Sequence, residues 1–164
     1  MSIFMNYEGI KGESSDQGHQ DWIDIDSWQF GVERKMTSNS STQGDRESSN
    51  AEISALRVTK KMDSATNKLF LESCCGKGKK VILHLTKTGS GSGTDVYMQY
   101  TLENALISSY TVGGIANDTD RPTEIIIISF TAIESRYTPY NDDGAAASPD
   151  AVGFDTAKNI KNSL

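Results

Sequence analysis

The chain has 164 residues, a formal charge of −6 and two adjacent cysteines, enough length for one domain whose core needs neither metal nor disulfide staples. Leu, Ile, Val and Phe make up only about a fifth of the residues, so some segments are expected to stay unpacked, and the wealth of Ser, Thr and Ile favours half-wet strands over long helices. The acidic balance excludes sequence-independent binding to nucleic acid, which requires a basic surface, and no apolar run approaches the length of a membrane-spanning helix.

Residues 1–8 carry Ile3, Phe4, Met5 and Tyr7 and read as a first strand; they have no basic or apolar region of a secretory signal. Residues 9–20, rich in Gly and Ser, read as a long loop. In residues 22–32, Ile23 and Ile25 fall on one parity, while Trp28, Phe30 and Val32 fall on the other. A period of two cannot serve both sets, so a bulge or bend is expected near Asp26 and Ser27. Residues 36–50 hold no large hydrophobe after Met36, and a loop of that length is expected to be ordered only by something outside the domain. Residues 51–61 form a third strand with a parity slip among Ile53, Leu56 and Val58. The doublets Lys60–Lys61 and Lys79–Lys80 read as solvated strand ends.

Asp63 and Ser64 then cap a helix with Ala65, Leu69, Phe70 and Cys74 at near-helical spacing, and Gly76 stops it. Cys74 and Cys75 sit at its C-terminal end and read as small buried hydrophobes of a reduced compartment. Val81, Leu83 and Leu85 alternate cleanly and give a fourth strand, followed by a flexible Gly/Ser connection at 89–93. Val96, Met98, Tyr100 and Leu102 share a parity that Leu106, Tyr110 and Val112 continue, as one long strand or as two broken near Asn104. Residues 113–122 turn the chain, and Ile125 to Ile128 are apolar on both faces and continue through Phe130 and Ile133 to Tyr137, as befits a central or covered strand. After Pro139 the composition loosens. The expected organisation is a mainly β domain over 1–140, a two-sheet barrel with one short helix, and a loosely ordered tail over 141–164.

Groups able to do chemistry are few. His19 and His84 are 65 positions apart, too sparse a set for a metal site. Ser14, Ser15, His19 and Asp21 share one loop, but a triad needs a base held by a third group, so a structural turn is expected there. The run 89–93 lacks the helix that would make it a phosphate cradle. The tripeptides at Asn39 and Asn117 match the glycosylation pattern without an export signal. No cofactor, no metal and no enzymatic activity are expected.

In chain order, the sequence carries GIKGES, His19, DWIDIDSW, ALRVTKKMDSATNKLF, LENALISSYTVGG, PTEIIIISFTAIESRYTPY and a closing GFD at 153–155. This ordered set resembles the haemolysin-coregulated protein (Hcp) family, the tail-tube subunits of type VI secretion systems. The resemblance implies a phage tail-tube-like fold with one helix, a homohexameric ring, and rings stacked into a hollow tube inside a contractile sheath. It also implies partners in the spike protein, the sheath and effectors, and synthesis in the cytoplasm with release through the secretion system without a signal peptide. On that reading, the loop residues Thr37, Ser38, Asn39, Arg46 and Glu47, with Glu8, Lys158 and Lys161, are candidates for contacts between subunits or rings. Lys60 and Lys61 join the same set, because six copies each bearing −6 must bring unlike charges together locally. The alternative is a monomeric β-barrel that carries a small ligand.

Overall fold

The computed structural model describes residues 1–35, 50–89, 91 and 93–162. Strand β1 (Ser2–Tyr7) buries Ile3, Met5 and Tyr7 on one face and Phe4 on the other. It pairs with β2 (Ile23–Ile25) on one side. The expected bend falls at Asp26: β2 ends there and β3 (Ser27–Gln29) begins, pairing instead with β6 (Leu56–Lys61) in a second sheet. The parity conflict among Ile23, Ile25 and Trp28 is therefore a change of sheet. The slip in residues 51–61 has a similar cause. β5 (Ala51–Ile53) pairs with β4 (Val32–Arg34) in a separate two-stranded arm, and only β6 enters the body.

Helix α1 (Thr66–Cys75) follows, the single helix among the described residues. Asp63 shapes its entry, since Oδ1 accepts from the Ala65 N–H at 2.9 Å while the Asp63 N–H donates to Thr66 Oγ1 at 2.9 Å. Ala65 and Leu69 are buried. Phe70, Cys74 and Cys75 are exposed, which corrects the expected helix face. Successive positions turn by about 100°, so a helix that seats Leu69 carries Phe70 around to the Tyr110 ring, 6.0 Å away, and the last turn faces out.

β7 (Lys79–Thr88) pairs with β1 and with β8 (Thr94–Gly113), a strand of 20 residues. β8 belongs to both sheets. Its first half lies between β7 and β10 (Ala132–Tyr137), and from Leu106 onward it pairs with β9 (Thr123–Ser129). At the changeover Asn104 adopts φ +52°, a left-handed conformation that asparagine tolerates better than most residues. This bulge reverses the parity. Tyr100 and Leu102 point inward before it, and Ala105 and Ile107 after it, so Leu106 is turned out, contrary to the continuous alternation expected. A second register shift between Ile107 and Ser109 follows, and Tyr110 packs against the core again.

The first sheet has the order β2–β1–β7–β8–β10–β11–β12, with β11 (Asp150–Asp155) and β12 (Ile160–Asn162) drawn from the tail expected to be loose. Residues 150–155 of it are ordered because Ser135, Arg136 and Tyr137 find partners in Val152, Ala151 and Asp150. The second sheet runs β3–β6–β9–β8. The two sheets enclose a core of Ile, Leu, Val and Met side chains and are joined through β8, without closing into one hydrogen-bonded barrel.

Lys60 is the largest departure from expectation. It is fully buried, not solvated. Its ammonium donates to the Lys61 carbonyl at 2.9 Å, to Asp63 Oδ1 at 2.8 Å and to Glu124 Oε2, which uses all three of its protons. Glu124, also fully buried, accepts further bonds from Thr66 Oγ1 at 3.0 Å and from the Tyr110 hydroxyl. Burial, with Glu124 beside it, raises the Tyr110 pKa well above the ordinary tyrosine value. This node fastens β6, β9, β8 and the start of α1 to one another.

The Tyr7 hydroxyl is buried without a hydrogen-bond partner, and burial, followed by the nearby Glu72 charge, pushes its pKa up to about 12. Tyr7→Phe removes that orphan, so stability at pH 7 is expected to hold or to rise by about 1 kcal/mol. A raised tyrosine pKa supplies stability that is complete below the unfolded value near 10 and is lost as pH climbs through the folded value, so the variant should also decline less steeply above pH 10. Urea midpoints at pH 7 and 10.5 check both, and a loss above about 1 kcal/mol at pH 7 would mean that the hydroxyl is bonded in solution.

Candidate assembly surfaces

Residue rows across the first sheet locate its uncovered part. Ile23, Met5, Leu83, Tyr100, Ser135 and Val152 stand in one cross-strand row, and Ile25, Ile3, Leu85, Met98, Tyr137 and Asp150 in the next. From β2 to β8 these rows are core. Beyond β8, on the wing formed by β10, β11 and β12, the same face emerges into solvent: Tyr137 is 51% exposed and Val152 52%. Trp28 and Phe30 pack on Tyr100 at 5.0 and 5.1 Å between ring centres, at the border between covered and uncovered face. The same face is thus core at one end and exposed at the other, the kind of surface that marks candidate interaction sites.

The arm β4–β5 stands apart from both sheets, and Val32 on it is exposed. At its base lies a groove of about 710 Å³ lined by Phe30, Val32, Ile53, Arg57 and Ile127 among others. The sheet edges differ in charge. The β2 edge and its flanks carry Asp21, Asp24 and Asp26, and the β12 edge carries Lys158 and Lys161. Burial, then Asp63 and the neighbouring Asp16 and Asp26 charges, holds the Asp24 pKa above the usual carboxylate value, with a bond from Ser14 working the other way.

The comparisons with known proteins agree with this architecture. Residues 4–137 match the family model described as "Type VI secretion system effector, Hcp". The chain belongs to the Hcp family. Among curated Hcp relatives, Protein hcp1 of Pseudomonas aeruginosa is 28% identical over 165 aligned positions, covering 98% of each chain. A solved type six secretion system protein superposes with a TM-score of 0.89 at 27% identity, over 98% of this chain and 99% of that one. Hcp1 from Salmonella typhimurium shares the fold at a TM-score of 0.76 and 22% identity, over 98% of both chains.

Within this Hcp chain the expected contact residues fare unevenly. Thr37, Ser38, Asn39, Arg46 and Glu47 lie outside the described residues, as does the tripeptide at Asn39. The Glu8 carboxylate accepts the Lys80 N–H at 2.8 Å, so it is engaged within its own chain. The Lys158 N–H donates to Asp155 Oδ1 at 2.8 Å in the turn before β12, and Lys161 is exposed on that strand. Glu8 directly follows β1 and Lys161 lies on β12, five strand spacings away along one sheet, or about 24 Å measured along it. Lys60 is withdrawn from the set by its burial, and Lys61 faces Asp120 at 3.6 Å.

The loop with Ser14, Ser15, His19 and Asp21 closes on itself. Gly12 donates to the Asp21 carbonyl at 2.7 Å, and a Cβ on Gly12 would stand 2.4 Å from the Trp22 carbonyl oxygen, so the second glycine of GIKGES is required by close approach. His19 is bonded to Asp16 and to His84, not to either serine, and Asp21 pairs at 3.9 Å with Lys11 on the surface. The meeting of His19 with His84 had no sequence signal beyond the two residues themselves.

Proposed function

We propose that this chain is the ring-forming tube subunit of a type VI secretion system, with work done by shape and not by turnover. Six copies close head to tail, and the bare inner face of one wing is covered by the neighbouring subunit. The observation that carries this reading is the continuity of the core rows into exposed Tyr137 and Val152. The opposed charge of the β2 and β12 margins favours a heterologous contact, which closes into a ring when the rotation permits. Closure also covers the short edge strands at both ends of the sheet. The arm extends toward the next ring, effectors travel in the bore, and the tube leaves the cell through the same machinery with the spike at its tip.

Size-exclusion chromatography with light scattering, followed by negative-stain electron microscopy, tests this directly. The expected result is a particle of about six times the 17.9 kDa chain mass with annular views. A 17.9 kDa monomer at every concentration would overturn the ring and favour a small-ligand carrier.

A further inference from the structure

Two histidines far apart in sequence meet on the outer face of the first sheet. His19, from the loop over residues 11–22, lies flat on Phe4 with ring centres 4.3 Å apart and edge-on to Trp22 at 4.9 Å. Its side chain is only 3% exposed. Nδ1 lies 2.6 Å from Asp16 Oδ2, and Nε2 lies 2.9 Å from Nδ1 of His84 on β7. His84 Nε2 in turn lies 2.9 Å from Oε1 of Gln99 on β8, whose amide nitrogen donates to Thr101 at 3.1 Å. The chain Asp16–His19–His84–Gln99–Thr101 is continuous and pins the loop to the sheet.

Proton counting decides what this chain does. With Asp16 ionised, His19 Nδ1 must donate to it. With Gln99 oriented so that Oε1 accepts from His84 Nε2–H, a neutral His84 leaves Nδ1 as an acceptor, and His19 Nε2–H fills it. That state holds one excess proton on the pair, and every polar atom is satisfied. Removing the proton needs only a switch of the His84 tautomer and a flip of the Gln99 amide. A second excess proton has no place. It puts an N–H on each of two nitrogens 2.9 Å apart, pointing at one another, with two like charges in contact.

We propose that His19 and His84 form a pH-sensitive clasp that tolerates one proton and opens at the second, releasing the loop over residues 11–22 from the sheet while the core stays folded. The other charged groups nearby do not replace the lost bond. Asp16 is already held by His19 and Thr94. Asp24 neighbours Phe4 on β2, and Arg136, next to Gln99 on β10, is turned to Glu134 at 3.1 Å. The direction agrees: burial, with His19 working the same way and the Gln99 bond opposing, lowers the His84 pKa. A lowered histidine pKa means that the unfolded chain binds more protons, so the contribution is intact above the unfolded value near 6.5 and is lost as pH falls through the folded value. Release also reaches beyond the clasp. In the same loop, Glu13 accepts the Ser64 N–H at 3.0 Å and lies 3.3 Å from Arg121, so it ties the loop to the approach to α1 and to the turn after β8.

The test is amide hydrogen exchange on the full chain between pH 8 and 5, corrected for intrinsic rates, with nitrogen-detected histidine titration alongside. The amides of Gly12, Ser14, Asp21 and Trp22, which bond within the loop, are expected to lose about tenfold protection below pH 6, with a rate set by the second proton. The amides of Tyr100 and Leu102 on β8, whose side chains lie in the core, should not change. His84→Gln, which keeps a donor and an acceptor without a titrating ring, should abolish the dependence, and His84→Asn should do the same if the longer side chain packs badly. Equal pH dependence in wild type and both variants, or none in the wild type, would overturn the clasp. This outcome is independent of whether rings form.

Discussion

Replacing Lys60 with Met is expected to lower the free energy of unfolding by about 3–5 kcal/mol, measured by urea denaturation at pH 7. The loss is that large because it leaves two buried acceptors without their cation: Glu124 Oε2 keeps only Thr66 Oγ1, and Asp63 Oδ1 keeps only the Ala65 N–H. A solvated lysine at a strand end would change stability by no more than about 0.5 kcal/mol. Domains of this size have roughly 5–15 kcal/mol in total, so the single variant stands near the limit of folding. The double variant K60M/E124L keeps the prediction testable, since replacing both ions with apolar groups is often neutral. It should recover only the part of the loss due to Glu124, because Asp63 Oδ1 still lacks its cation and the Thr66 and Tyr110 hydroxyls lose their acceptor, and a double-mutant cycle that gave no coupling would remove the node from the account of stability.

Val152→Glu is expected to convert the proposed ring into 17.9 kDa monomers without lowering the urea midpoint of the isolated chain. Val152 is half exposed in the single subunit, so the new carboxylate stays hydrated there, but a neighbour seated on the wing would have to bury it unpaired. Tyr137→Asp, in the next row on the same face, should act alike. Light scattering and an annular count by electron microscopy read the result. Variants that remain hexameric would place the contact on another surface, and variants that unfold would mean that the wing contributes to the core of the single chain.

Much of the fold was legible because strand parity is a strict rule. The conflict between Ile25 and Trp28 marked a real change of sheet, and the clean alternation of Val81, Leu83 and Leu85 marked β7. Errors arose where the parity was reset by backbone geometry. A break near Asn104 was one of two readings of the run from Val96 to Val112, but the parity of Leu106, Tyr110 and Val112 hid the bulge there, where Ala105 and Ile107 displace Leu106 from the interior. The ordering of β11 depends on pairing with β10, a tertiary fact that a Gly- and Ala-rich tail does not advertise. Lys60 was a missed inference: it shares the inward parity of Leu56 and Val58, and it stands in register with Glu124, which shares the parity of Ile126 and Ile128. Two opposite charges on inward positions of neighbouring strands are a readable sign once the partners are known. The assembly surfaces were less legible. The family resemblance pointed to a ring, but the bare wing emerges only when cross-strand rows are laid side by side.

The shared strand β8 also governs how a subunit comes into being. With one continuous segment threaded through both sheets, neither sheet of the described residues is complete without the strand it shares with the other. Non-local pairing of this kind places refolding in the slow, millisecond-to-second regime. A newly made chain therefore gains its two sheets together, because the strand they share cannot be finished in one without serving the other.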